Sequence, residues 1–151
     1  MKKVLFSLML AVAGTMATNA AVAQAEVQVV DGAQIEFEKK KHDYGTVEYG
    51  GNGQCTFDFK NTGNAPLIIS NAKGSCGCTV PSWPKEPIAP GATATITVKY
   101  DTKRPGAINK SVTITSNATN EPTSVLRISG NVGPKPTVGA PVDNSGAPTV
   151  H

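Results

Sequence analysis

The sequence predicts an all-β domain, about seven short strands folded as an antiparallel sandwich. Three observations lead there. Apolar and polar residues alternate with period two in several stretches, most cleanly Cys55-Thr56-Phe57-Asp58-Phe59-Lys60. Clusters of Gly, Pro and Asn divide those stretches. Beyond the N-terminal leader, no stretch sustains apolar residues at three- and four-residue spacing, so no helix is expected. Short strands with that punctuation fit two packed sheets.

The chain opens Met1-Lys2-Lys3 and runs into about ten apolar residues, Val4 to Ala13, with small residues beyond. That is the layout of a secretory signal peptide. The run is too short for a bilayer span, which takes about twenty residues. Ala21-Val22-Ala23 and Ala23-Gln24-Ala25 are both small-x-small sites, so cleavage is expected after Ala23 or Ala25, and no membrane span is expected afterwards. No cysteine follows either site, which excludes a lipid anchor there. The mature protein is therefore expected outside the cytoplasm, periplasmic or secreted.

Loss of the leader takes Lys2 and Lys3 from fourteen basic residues and leaves twelve against eleven acidic ones. So even a balance makes no case for nucleic acid or an anionic membrane as partner. Only Arg104 and Arg127 carry guanidinium groups. The run Lys39-Lys40-Lys41, bracketed by Glu36, Glu38 and Asp43, reads as a solvated strand end. Roughly 125 mature residues suffice for one domain with a single core.

Residues 24–33 carry no strong pattern and form a lead-in. Ile35-Glu36-Phe37-Glu38 then alternates, and Gly50-Gly51-Asn52-Gly53 turns the chain before the clean strand at Cys55–Lys60. Asn61 to Pro66 is turn chemistry, and Leu67 to Ser70 reads as a short strand. Pro81, Pro84 and Pro87 exclude helix and central strand alike. Thr93 to Tyr100 alternates again, with Ala94, Ile96, Val98 and Tyr100 on one face. Pro105-Gly106 turns the chain, Val112 and Ile114 mark another strand, and Leu126 and Ile128 the last. The expected core is Cys55, Phe57, Phe59, Leu67, Ile69, Ile96, Val98, Tyr100, Ile114, Leu126 and Ile128. From Gly133 to His151, Pro and Gly recur with almost no large apolar residue, the composition of a flexible tail.

The unusual chemistry lies at Ser75-Cys76-Gly77-Cys78-Thr79. In extended chain, residues two apart share a face, which sets both sulfurs on one side, and Gly77 permits a tight fold. Three uses fit such a pair: a local disulfide, a soft-metal chelate, or exchange with other thiols. As a chelate for Cu(I) or Zn(II), Cys76 and Cys78 would draw on Cys55 or His42 for a third ligand. Structural zinc usually takes two spaced ligand pairs, and one is visible. In an oxidising compartment the pair becomes a disulfide, and three cysteines leave one unpaired. The ring closed by a two-residue separation is small and strained, which favours exchange. No helix N-terminus is at hand to lower a thiol pKa.

Catalysis finds less support. His42 stands at a strand end beside Asp43, and the other histidine is terminal. The chain has no Gly-rich phosphate loop and no Gly-x-Ser-x-Gly elbow. Nothing implies a cofactor. Trp83, on the proline-stiffened loop after the pair, either anchors a partner or closes over one end of the core. Asn117-Ala118-Thr119 spells a glycosylation acceptor, without meaning in a bacterial source.

Several segments, in order, resemble a known family: Asp43-Tyr44-Gly45-Thr46-Val47, Phe59 to Leu67, Ser75 to Thr79, and Ile88-Ala89-Pro90-Gly91, followed by Pro105-Gly106, Lys110-Ser111, Ser116-Asn117 and Ile128-Ser129-Gly130. Over about Ile35 to Val132 the chain is similar to the domain-of-unknown-function family 1573 (DUF1573), common in exported proteins of Bacteroidetes-type bacteria. The resemblance implies an immunoglobulin-like sandwich akin to those of major sperm protein and cilium-associated domains. It implies no settled biochemical role. Cys55 departs from it, since that inward position usually holds an ordinary apolar residue. The organisation expected is signal peptide 1–23, lead-in 24–33, immunoglobulin-like antiparallel β-sandwich 34–132 and tail 133–151. The expected function is that of an exported, non-enzymatic binding or structural module with a protein or cell-envelope partner; the alternative is a thiol-redox or soft-metal protein acting through Cys76 and Cys78.

N-terminal sequencing of the exported protein is expected to return Gln24 or Glu26. Recovery of Met1 would overturn the leader.

Overall fold

The computed structural model describes residues 31–137. The leader, residues 24–30 of the lead-in and residues 138–151 of the tail lie outside the described residues. The described chain holds eight strands and no helix. They are β1 (Ile35–Phe37), β2 (Lys41–Val47), β3 (Gln54–Asn61), β4 (Ile69–Gly74), β5 (Thr79–Ser82), β6 (Thr93–Tyr100), β7 (Gly106–Ser116) and β8 (Thr123–Val132). One sheet has the order β1-β3-β6-β5 and the other β2-β8-β7-β4. No helix among the described residues is long and apolar enough to cross a membrane.

The period-two pattern dictates how the sheets face. Cys55, Phe57 and Phe59 on β3 point inward beside Ile96, Val98 and Tyr100 on β6, in a register that sets Phe57 opposite Ile96. The other sheet answers with Val112 and Ile114 on β7 and Leu126 and Ile128 on β8. Every residue of the expected core is buried, and Ile35, Ala72, Cys78, Ile88, Ile108, Ala118 and Val132 join them. Full burial of one such large side chain contributes roughly 1.5–3 kcal/mol.

Several details differ from the sequence reading. The strand count is eight because β5 forms where the sequence predicts a proline-stiffened loop. The first edge is also split, since after β1 the chain crosses through Glu38-Lys39-Lys40 and enters the second sheet as β2. The sandwich is also not wholly antiparallel, since β2 runs parallel to β8. A parallel neighbour needs a distant strand, and local pattern carries no record of it. Asp43 to Thr46 bulges out of register, with Gly45 at φ +62° and its N–H donated to the Asp43 carboxylate. Such a bulge blunts an exposed edge.

The strand expected at Leu67–Ser70 is displaced. Leu67 makes an isolated bridge to Ile88, and β4 itself runs on to Gly74. Its later residues, Asn71, Lys73 and Gly74, hid it because only Ala72 turns inward. Pro81 lies within β5, an edge strand, where its missing N–H is tolerated. Of the basic run, Lys39 and Lys40 lie exposed in the crossing and Lys40 pairs with Glu121, while Lys41 begins β2. Two lead-in residues belong to the domain: Ala33 is buried, and the Gly32 N–H donates to Asn64. At the other terminus, the Gly133 N–H donates to the Val47 carbonyl before the chain leaves the sheet.

Asparagine carboxamides tie one end of the sandwich. Asn61, read as a turn residue, is fully buried at the end of β3. Its Nδ2 donates to the carbonyls of Ala65 (2.8 Å) and Ile88 (3.0 Å), and its Oδ1 accepts from Gly63 (3.0 Å) and Gln34 (3.3 Å). Asn117 accepts from the Ile68 N–H and donates to the Pro66 carbonyl. That side chain of the acceptor spelling is thus already engaged. Asn120 accepts from the Ile35 N–H (3.0 Å) and donates to the Ile35 carbonyl (2.8 Å), standing in for a neighbouring strand on β1. Buried or edge backbone groups must find partners, and these amides supply them.

Replacing Phe57 or Phe59 by Ala is expected to cost about 3–5 kcal/mol in denaturant melts, and Thr56→Ala on the wet face far less. Equal losses would overturn the register. Asn120→Ala, which orphans both Ile35 backbone groups, is expected to cost about 1–3 kcal/mol although Asn120 itself is exposed. A loss no larger than that of Thr56→Ala would remove Asn120 from the edge.

Candidate functional site

At the lateral edge opposite β1 and β2, the strands β4 and β5 belong to different sheets and are joined by Ser75 to Cys78. The residue before this crossing must be small. A Cβ on Gly74 would collide with the Thr79 carbonyl oxygen, so the two edge strands approach as closely as backbone allows. Ser75 then docks on β7: its N–H donates to the Ser111 carbonyl (2.8 Å) and its Oγ accepts from the Ser111 N–H (3.1 Å).

Cys76 and Cys78 are disulfide-bonded, with Cα atoms 5.2 Å apart. The sulfurs meet because the chain turns there, and the extended geometry expected of this segment is absent. Nor does Gly77 carry the turn. Its φ is not positive, and a Cβ added to it would meet nothing within 4 Å. Backbone hydrogen bonds carry it instead. The Thr79 N–H donates to the Cys76 carbonyl (3.2 Å), and the Asp101 N–H donates to the Cys78 carbonyl (2.9 Å).

The two halves of the disulfide differ in exposure. Cys78 is 6% exposed and belongs to the core, whereas Cys76 is half-buried and packs against the core from outside. The hydroxyl of Thr79, itself buried, lies 3.6 Å from Cys76 Sγ and 3.8 Å from Cys78 Sγ. Ser75 and Thr79, given no role by the sequence reading, hold this segment by hydrogen bonds. Their signal was present, since each flanks a cysteine in a segment too short to hold itself.

Trp83 closes the same edge a second time. It follows β5 of one sheet, yet its Nε1 donates to the carbonyl of Ile69 on β4 of the other (3.2 Å). Its ring packs on the core and carries the Lys85 ammonium 3.0 Å from its centroid. Beside it on β5, Val80 is 60% exposed, the most exposed of the large hydrophobic residues described.

The other candidates do not join this site. Cys55 is a free buried thiol on β3, separated from β5 by β6, and burial raises its pKa against the opposing influence of Tyr44 and Lys39. Its neighbour Tyr44 donates to the Gly53 carbonyl (2.7 Å), and burial, then the adjacent Cys55, push that phenol far above its ordinary range. His42 lies edge-on to Tyr44, the ring centroids 4.7 Å apart. Burial lowers its pKa, Lys39 lowers it further, and Asp43 opposes both. Since β2 and β4 are the two outer strands of one sheet, His42 and the cysteine pair stand on opposite edges. Neither Cys55 nor His42 is therefore a third ligand for Cys76 and Cys78. Among the described residues, no three His, Cys, Asp or Glu side chains converge on a point.

Known structures share this fold at low identity. A protein of unknown function from Porphyromonas gingivalis W83 aligns with TM-score 0.60 and 14% identity over 72% of this chain. The ASH/PapD-like domain 7 of human CEP192 aligns with TM-score 0.53 and 13% identity, over 65% of this chain and 84% of that one. The Vibrio cholerae protease VesB aligns with TM-score 0.54 and 13% identity over 65% of this chain. The chain spans about half (51%) of the Porphyromonas protein and about a third (32%) of VesB. At these identities the likeness speaks for the sandwich alone. No curated protein matches the chain. The family model described as protein of unknown function (DUF1573) matches residues 35–132, from the first residue of β1 to the last of β8, and the chain belongs to that family.

Proposed function

We propose that this chain is an exported binding module of the cell envelope, and that it docks a protein partner along the β4–β5 edge. The observation that carries this reading is the exposed apolar side chain of Val80 beside the half-buried Trp83, on an edge whose backbone is already fixed. Interface anchors are enriched in Trp, Tyr and Arg, and an anchor held rigid before binding costs little to order, which fits Trp83 with Val80 as added apolar area beside it. Here Trp83 is held by Ile69, and the strand before it by the backbone hydrogen bonds of Thr79 to Cys76 and Asp101 to Cys78.

Charge supports a partner of defined sign. Lys73 lies on β4, Lys99 stands opposite Val80 on β6, and Lys85 covers the Trp83 ring. Against these three ammonium groups stand the exposed Glu86, next to Lys85 in the chain, and Asp101, which is engaged by Arg104. An edge that is locally basic on a chain of nearly even charge favours an acidic protein segment, steered by that field.

A photo-crosslinking residue placed at Val80 in the full chain, expressed in its own cells, is expected to yield discrete protein adducts that weaken as salt is raised. The same residue at Thr56, on the wet face of β3, is expected to yield none. Equal labelling from both positions, or none from Val80, would overturn the edge.

A further inference from the structure

We infer that the Cys76–Cys78 disulfide is a thiol-exchange site that accepts electrons from a protein dithiol, with Cys76 as the sulfur attacked and Cys78 as the leaving group. The inference is independent of the docking edge.

Stabilisation does not account for the bond. A cross-link stabilises chiefly by removing freedom from the unfolded chain, and a two-residue separation removes little. The folded geometry has other supports: Ser75 on Ser111, Thr79 on Cys76, Asp101 on Cys78, and the Gly74 contact with Thr79. The crossing between sheets is thus held without the sulfur–sulfur bond. Opening it leaves the sandwich in place.

The surroundings assign the roles. An attacking thiolate must approach in line with the sulfur–sulfur bond, and access decides which sulfur it strikes. Cys76 is half-buried and Cys78 is 6% exposed, so approach to Cys76 is the open one. The Thr79 hydroxyl, 3.6 Å from Cys76 Sγ and 3.8 Å from Cys78 Sγ, reaches both sulfurs, so access alone sets the polarity and Thr79 is placed to donate a hydrogen bond to the thiolate released at Cys78. Buried thiolates are otherwise costly, and hydrogen bonds to a charged sulfur offset that cost.

The chemistry balances as two exchanges. A thiolate of the dithiol forms a bond to Cys76 Sγ while the Cys76–Cys78 bond breaks, and its electron pair passes to Cys78 Sγ. Cys78 then takes a proton. The second thiol of the partner, deprotonated, attacks its own mixed-disulfide sulfur, and the electron pair returns to Cys76 Sγ, which is protonated in turn. The partner dithiol is oxidised to a disulfide, and Cys76–Cys78 is reduced to two thiols.

The test uses the folded mature chain with glutathione as a monothiol probe and dithiothreitol as a dithiol probe. After acid quench and alkylation, peptide mapping is expected to place the glutathione adduct on Cys76 at least tenfold over Cys78. Dithiothreitol is expected to reduce the pair without denaturant, and the reduced protein is expected to melt within a few degrees of the oxidised one. Thr79→Val, which keeps the shape of a buried side chain, is expected to slow exchange about tenfold with melting unchanged, and Thr79→Ser to restore the rate. Adducts shared equally or found on Cys78 would overturn the assigned polarity. A bond reduced only after unfolding, or a reduced chain that no longer folds, would make it a structural disulfide and overturn the inference.

Discussion

Two sheets that bury their faces against each other leave two lateral edges open, and the rest of this structure follows from closing them. The chain closes each by stepping from one sheet to the other. On one side β1 and β2 are a single edge strand broken by Glu38-Lys39-Lys40; on the other, β4 and β5 are joined through Ser75 to Cys78. Each crossing brings together strands that share no ladder, so local hydrogen bonds and side chains must hold it. The first relies on Asn120 and on an exposed ion pair between Lys40 and Glu121, a kind of contact usually worth less than about 1 kcal/mol. The second relies on Ser75, Thr79, Trp83 and a disulfide.

The ends of the sandwich obey the same need. Where strands stop, backbone groups lose their partners, and carboxamides are well suited to replace a peptide because each offers one acceptor and two donors. Asn61 is the extreme case. Its side chain is fully buried with four hydrogen bonds, so it fixes the lead-in, its own turn and the Ile88 segment together. A buried polar group so completely satisfied specifies geometry in a way an apolar residue could not.

These two devices mark the limit of what could be read from sequence. Phe57, Phe59, Ile96, Val98, Leu126 and Ile128 were legible because burial of one sheet face imposes alternation on the chain itself. The exclusion of a central strand at Pro81 was legible as well, since a missing N–H is written in the residue, but the edge strand β5 that forms there was not. The parallel pairing of β2 with β8 was not legible, because His42 to Val47 alternates weakly and its partner lies more than eighty residues away. Asn120 reaches Ile35 across eighty-five residues, and no local pattern points there. At the cysteines the sequence disclosed proximity. It could not disclose that a turn, and not a strand, brings the sulfurs together, nor that one is buried and the other half-open.

That asymmetry gives the second crossing a different character from the first. In a disulfide that spans a long loop, the bond and the fold are energetically coupled, and opening it risks the core. Here the coupling is small, because hydrogen bonds from Ser75, Thr79 and Asp101 already define the path of the chain and Gly74 admits the close approach of the two edges. Trp83 and Ile69 bridge the sheets a few residues away without involving the sulfurs. A covalent bond loosely coupled to folding can be made and broken while the scaffold persists. In the proposed exchange, two demands that compete in a small domain fall to different parts of the chain: the sandwich supplies the stability and the cysteine pair the chemistry.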